Sequence, residues 1–117
     1  MHSLSLQFYG GAAGIRDEGM LESAIARPYQ TFDGVELHPT AIEKAAAITE
    51  SIIVNHPYVD GNKRTGFLAM FAMLELHGIQ LTATEADAYD TIVQVSTGQI
   101  HFEDLVDWLN QNVVRIG

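Results

Sequence analysis

Asn55-His56-Pro57-Tyr58-Val59-Asp60-Gly61-Asn62-Lys63-Arg64-Thr65 decides how the chain is organised. On both sides of it apolar residues recur at helical spacing, and within it that pattern gives way to Pro, Asp and Gly. It therefore reads as a turn joining two long helices. Before it, Thr40 and Glu43 make a capping box for a core helix through Ile42, Ala46, Ile53 and Val54. After it, Asn62 is the expected N-cap of a helix through Phe67, Met70, Phe71 and Leu74, a stripe assigned to the core, with Gly78 as its stop.

The same signals divide the rest of the chain. Leu4 to Tyr9 is apolar at helical spacing and stops at Gly10-Gly11, as the tail of a first helix would. Asp17 opens a second that runs to about Arg27, with Met20, Leu21, Ala24 and Ile25 on one face and Pro28 ending it. Arg16 and Asp17 could pair with each other or cap that helix. From Tyr29 to Pro39 the periodicity lapses, and Thr31, Asp33-Gly34 and His38-Pro39 read as turns or a flap between the second and third helices. Irregular pieces of that length carry function more often than they merely connect. Ile79-Gln80-Leu81 is the one short stretch that could be extended. Thr84 then starts a helix with Ala88, Ile92 and Val95 inward and Gly98 closing it. A last helix is expected from Glu103 to about Val113, with Leu105, Val106, Trp108 and Leu109 apolar. The expected fold is a compact all-α bundle of five or six helices, one domain over residues 1–117.

Composition narrows the function. With 47% hydrophobic and 18% charged residues the chain is of the ordinary globular kind, and at 117 residues it can bury a core without staples. A formal net charge of −9 argues against direct nucleic-acid binding, which draws its affinity from Lys and Arg on phosphates. The absence of cysteine removes disulfides and thiolate metal sites. Neither a signal peptide nor an apolar run long enough to span a membrane is visible, so a cytoplasmic protein without membrane contact is expected.

Against that acidic background the turn stands out, because two of only six Lys and Arg residues sit side by side at a helix start. Positive charge there opposes the helix dipole, by about 0.3–1 kcal/mol per charge. Gly61 lets the backbone curl, and the amides at the start of the following helix point at whatever lies ahead, a ready anion site. Lys63 adds a point charge and Arg64 a planar fork suited to phosphate oxygens. Asp60 could supply magnesium with an oxygen ligand beside such phosphates. His56, on the other side of the turn, is a candidate base for a hydroxyl attacking phosphorus. The turn is no Walker A loop, since Gly61 is followed by Asn62 and preceded by a helix. His2, His38, His77 and His101 show no metal-ligand spacing with His56, and His77, His101 and Trp108 are read as structural. Taken singly, Asp60 could be a turn or cap residue and the two cations solvated charges.

The run His56-Pro57-Tyr58-Val59-Asp60-Gly61-Asn62-Lys63-Arg64 closely resembles the Fic/Doc signature, His-Pro-Phe-x-Asp/Glu-Gly-Asn-x-Arg. Gly10 to Pro28 looks like the N-terminal region of the death-on-curing toxins within that family. The resemblance implies that His56 activates a target hydroxyl, Asp60 holds magnesium, Gly61 and Asn62 form an anion hole, and Arg64 contacts ATP phosphate. Lys63 is the discriminating position. AMP-transferring Fic proteins commonly carry Gly there, whereas the death-on-curing branch carries Lys and is similar to enzymes that bind ATP reversed and transfer its terminal phosphate. In that branch the target is a threonine of elongation factor Tu, the flap aligns the target backbone, and a cognate antitoxin restrains the toxin. The alternatives are a Fic-type AMP transferase and a non-catalytic antitoxin-binding module.

Departures from the pattern are local. Tyr58 stands where Phe is usual, and Pro57 and Gly61 match the broader Fic pattern better than some death-on-curing toxins do. Related proteins generally have more residues before the first helix, which is compatible with Met1 being an internal start. The self-inhibitory pattern Ser/Thr-x-x-x-Glu-Gly/Asn is absent, since Glu18-Gly19 is preceded by Gly14 at the Ser/Thr position. Restraint would then come from another chain.

Overall fold

Asp17, extended in backbone, accepts a hydrogen bond from the Met20 N–H at 3.0 Å and so caps α1 (Glu18–Ala26). The computed structural model describes residues 17–57 and 61–116, and the expected helix over Leu4 to Tyr9 lies outside them. Leu21 and Ala24 of α1 are buried, while Met20 is exposed. Pro28 does not stop the chain at once. It sits buried in a 3-10 turn, Arg27–Tyr29, where its missing N–H costs nothing.

The flap is a β-hairpin. Its strands β1 (Thr31–Phe32) and β2 (Val35–Glu36) are antiparallel, with Thr31 opposite Glu36 and Phe32 opposite Val35. Asp33 and Gly34 both have positive φ, 54° and 77°, as a tight two-residue hairpin turn of the primed kind requires.

The central helix, α2 (Ala41–Asn55), starts at the expected capping box. Glu43 N–H donates to Thr40 Oγ1 at 3.1 Å and Thr40 N–H to Glu43 Oε1 at 3.2 Å. It packs on the helix after the motif, on α1 and the 3-10 turn that follows α1, and on the C-terminal helix, so Ala45, Ala46, Ala47, Ile48, Ile52 and Ile53 are all buried. Val54 is a correction: expected inward, it is exposed. Successive helical residues lie about 100° apart, and it is Ile53 that faces the next helix.

That helix, α3 (Asn62–Leu76), approaches α2 closely through Gly66. A Cβ on Gly66 would lie 2.8 Å from Ile53 Cγ1, too close for any side chain without displacement. Ala69, Met70, Met73 and Leu74 face the core. Phe71, assigned to the core from its spacing, is 42% exposed. Asn62 is not the N-cap either: Gly61 occupies the cap at φ 78°, ψ 20°, and Asn62 is the first helical residue. Left-handed entry to the helix suits the residue without a Cβ.

Gly78, at φ 70°, ends α3 as expected. Ile79–Leu81 is then strand β3, and its antiparallel partner is β4 (Val113–Arg115), Leu81 lying opposite Val113. The last helix therefore stops short of Val113. Between the two strands lie α4 (Glu85–Ser96), capped by Thr84, and α5 (Phe102–Gln111). Ala88, Ile92 and Val95 of α4 face inward, as do Leu105 and Leu109 of α5. The outcome is a mostly helical fold with two minimal two-stranded sheets, and among the described residues no helix is long and apolar enough to cross a membrane.

Candidate functional site

His56 terminates α2 in a left-handed conformation, φ 49° and ψ 55°, with its N–H donating to the Ile52 carbonyl at 3.2 Å. For a residue other than glycine this region costs about 1–3 kcal/mol and persists only where the surroundings impose it. Here they do. The Pro57 carbonyl accepts from Asp17 N–H at 3.1 Å, and Asn55 Nδ2 donates to the Met20 carbonyl at 3.3 Å, so the first turn of α1 holds the end of α2 from both sides of His56. Pro57 also excludes a right-handed helical continuation, because the residue before a proline is crowded out of that region.

The consequence is a short chain reversal that brings the end of α2 to the start of α3. His56 Nδ1 and Asn62 Nδ2 stand 3.5 Å apart, at the outer limit of a hydrogen bond. Gly61 supplies no capping side chain, the first turn of α3 contains no acidic residue, and Lys63 and Arg64 are both exposed on it. The backbone amides and the helix dipole face the space before the helix, and two exposed cations sit in its first turn. Of the six residues expected at the site, His56, Gly61, Asn62, Lys63 and Arg64 converge on this reversal. Asp60 lies outside the described residues, with Tyr58 and Val59.

Arg64 also opens a cleft that the sequence reading did not anticipate. Phe67 and Leu68 on α3 and Glu85, Ala86 and Tyr89 on α4 line it with Arg64, around about 550 Å³. That falls within the size range of small-molecule sites, and its mix of apolar walls with a few polar groups is typical of them. Leu68 and Tyr89 are exposed despite being large and apolar. They lie off the stripes of α3 and α4 that fill the core, and an apolar residue out of phase with its helix was the available signal.

A second polar cluster lies between the 3-10 turn, α2 and the start of α5. Arg27 Nη1 pairs with Glu50 Oε1 at 2.8 Å and donates to Ser51 Oγ at 2.9 Å, while its guanidinium lies 5.5 Å from the centre of the Phe102 ring. His38 packs its ring against Phe102 at 5.1 Å between centroids. Burial, with Arg27 and Lys44 nearby, lowers the pKa of His38, and its buried Nδ1 has no hydrogen-bond partner among the described residues. Burial raises the pKa of Tyr29, whose hydroxyl reaches Met73 Sδ at 3.4 Å.

Comparison with known proteins places this architecture. A sequence model described as the Fic/DOC family matches residues 1–74, which take in α1, the flap, α2, the reversal and α3 as far as Leu74. The Toxin Doc of Mycolicibacterium smegmatis (strain ATCC 700084 / mc(2)155) is 45% identical over 75 residues, 64% of this chain and 58% of that protein. The chain thus spans little more than half the length of that relative, and α4, with its wall of the cleft, falls beyond the residues matched by the family model.

Proposed function

This chain belongs to the Fic/DOC family, and on that premise we propose that it is a Doc-like toxin transferring the terminal phosphate of ATP to a hydroxyl of a target protein. The target is a threonine of elongation factor Tu, modification of which halts translation, and a cognate antitoxin restrains the enzyme. The observation that carries this reading is the reversal itself: a strained, left-handed His56 set against a helix whose first turn holds no acidic residue and carries Lys63 and Arg64.

Each residue has a separate part in the reaction. The imidazole of His56 takes the proton of the target hydroxyl as its oxygen bonds to the γ-phosphorus. The bond from that phosphorus to the β–γ bridging oxygen breaks, and ADP leaves. Asn62, with the amides at the start of α3, surrounds the phosphoryl oxygens that gain charge, and Lys63 and Arg64 neutralise the phosphates. Asp60 is the residue to hold magnesium, which when bound neutralises further phosphate charge. The flap offers its hairpin edge to the target backbone.

One observation favours the second reading, AMP transfer. The cleft begins at Arg64, beside the reaction centre, and its apolar lining and Tyr89 suit a nucleoside. AMP transfer needs the nucleoside next to the reacting phosphorus, whereas terminal-phosphate transfer leaves it two phosphates away. ATP labelled separately at the α and γ phosphates separates the readings. Label from γ alone on the target is expected, and label from α would overturn the kinase reading.

A further inference from the structure

We propose that Lys44 is the positioning residue of the flap: one buried ammonium, tied to both feet of the hairpin, sets where its edge stands relative to His56. The hairpin has two residues in each strand, and every residue from Thr31 to Leu37 is exposed. A hairpin that small has little stability of its own, so its orientation has to be imposed from its feet.

Lys44 is built for that. It is only 6% exposed, in the first turns of α2. Its Nζ pairs with Glu36 Oε1 of β2 at 2.9 Å, donates to the carbonyl of His38 just past the hairpin, and stands 5.7 Å from the centre of the Tyr29 ring just before it. A lysine stem on a helix ordinarily carries its charge out to water. Here the charge stays inside, and a buried ammonium must be matched by acceptors held in place. Those acceptors belong to the flap.

The geometry links the clamp to the chemistry. His56 ends the same helix, about 18 Å further along at 1.5 Å per residue. The flap is therefore referenced through Lys44 to the rod that carries the proposed base, while Tyr29 at its foot also reaches Met73 of α3. Arg27 acts differently, fastening the 3-10 turn to Glu50 and Ser51 without touching a strand of the hairpin.

The proposal rests on the flap's role in aligning the target, and two measurements on the full chain separate its failure from failure of that reading. Hydrogen exchange of the amides of residues 31–37 tests the clamp alone. Lys44→Met is expected to speed their exchange by at least about tenfold while the amides of α3 and α4 keep theirs. Glu36→Gln, at a half-exposed position, is expected to do the same in a chain whose core is untouched. Unchanged exchange in both variants overturns the clamp whatever the enzyme does. With γ-labelled ATP and purified elongation factor Tu, Lys44→Met should raise the KM for the protein target by about tenfold and leave the KM for ATP and kcat within about twofold, the mark of lost binding rather than lost chemistry. Lys44→Arg, which keeps charge and donors, should recover most of it. A fall in kcat with an unchanged target KM overturns the positioning role. If the wild-type chain labels no elongation factor Tu, the transfer reading falls, and the exchange result decides the clamp by itself.

Discussion

The starts of α2 and α3 follow opposite rules. Thr40 and Glu43 close a reciprocal capping box at the first, and at α4 Thr84 Oγ1 accepts from the Asp87 N–H, with Glu85 and Asp87 in the opening turn. At the second, a left-handed Gly61 replaces the capping side chain, no acidic residue follows, and two exposed cations stand where the dipole disfavours them. One sequence thus obeys helix-end chemistry where an end has only to hold and departs from it at the proposed phosphate site. Departures of that kind are where function is expected.

The contrast breaks most sharply at His56. Asparagine tolerates the left-handed region, so His56→Asn should keep the fold and lose about 10²–10⁴ in transfer rate, as removal of a general base does. A folded His56→Asn chain that still arrests growth on expression would remove the catalytic account. Lys63→Glu should pull stability and activity apart. Transfer falls by about 10²–10³, the usual cost of a lost charge-stabilising group. The midpoint of urea unfolding should rise, because a carboxylate in a first turn adds about 0.3–1 kcal/mol. A lower midpoint would mean that the start of α3 is not the opposed end it is taken for.

The well-capped end predicts the reverse. Thr40→Ala should cost about 1 kcal/mol of stability and leave the transfer rate per folded molecule unchanged. The smallest effect belongs to His38, two residues before that cap. Its native pKa is depressed by burial, then by Arg27 and Lys44, below the ordinary 6.5. The unfolded chain therefore takes up the proton first as pH falls. Its contribution to stability is full above the unfolded value and declines as pH drops through the native one. Thermal unfolding of His38→Gln, compared with wild type from about pH 7 to pH 5, should show the smaller acid loss in the variant.

What could be read in advance was local. The capping pairs at Thr40 and Thr84, the helix stops at Gly78 and Gly98, and the break in periodicity over the flap each depend on residues a few positions apart. Propensity points to Asn62 as the cap in place of Gly61, because asparagine is the better cap and propensity does not register a left-handed approach. The sequence carries the last helix to about Val113, the first residue of strand β4, because the pairing partner of that strand, β3, lies more than thirty residues away in sequence. Phe71 and Val54 are apolar at helical intervals, which predicts the core for both, yet the face each presents is set by which neighbour reaches it. At the site, the residue types pointed to phosphate and a base, whereas the His56 backbone and the cleft of Leu68 and Tyr89 come only from tertiary packing.

Gly66 touches no part of the proposed chemistry, and its backbone sits against Ile53 with no room for a methyl group. In a comprehensive substitution library read out by growth arrest, position 66 should score with the active-site residues. Larger side chains there would wedge α3 from α2 and separate His56 from Asn62. Intolerance at that position would report a spacing and not a contact, and a map of function drawn from the library alone would count one residue too many.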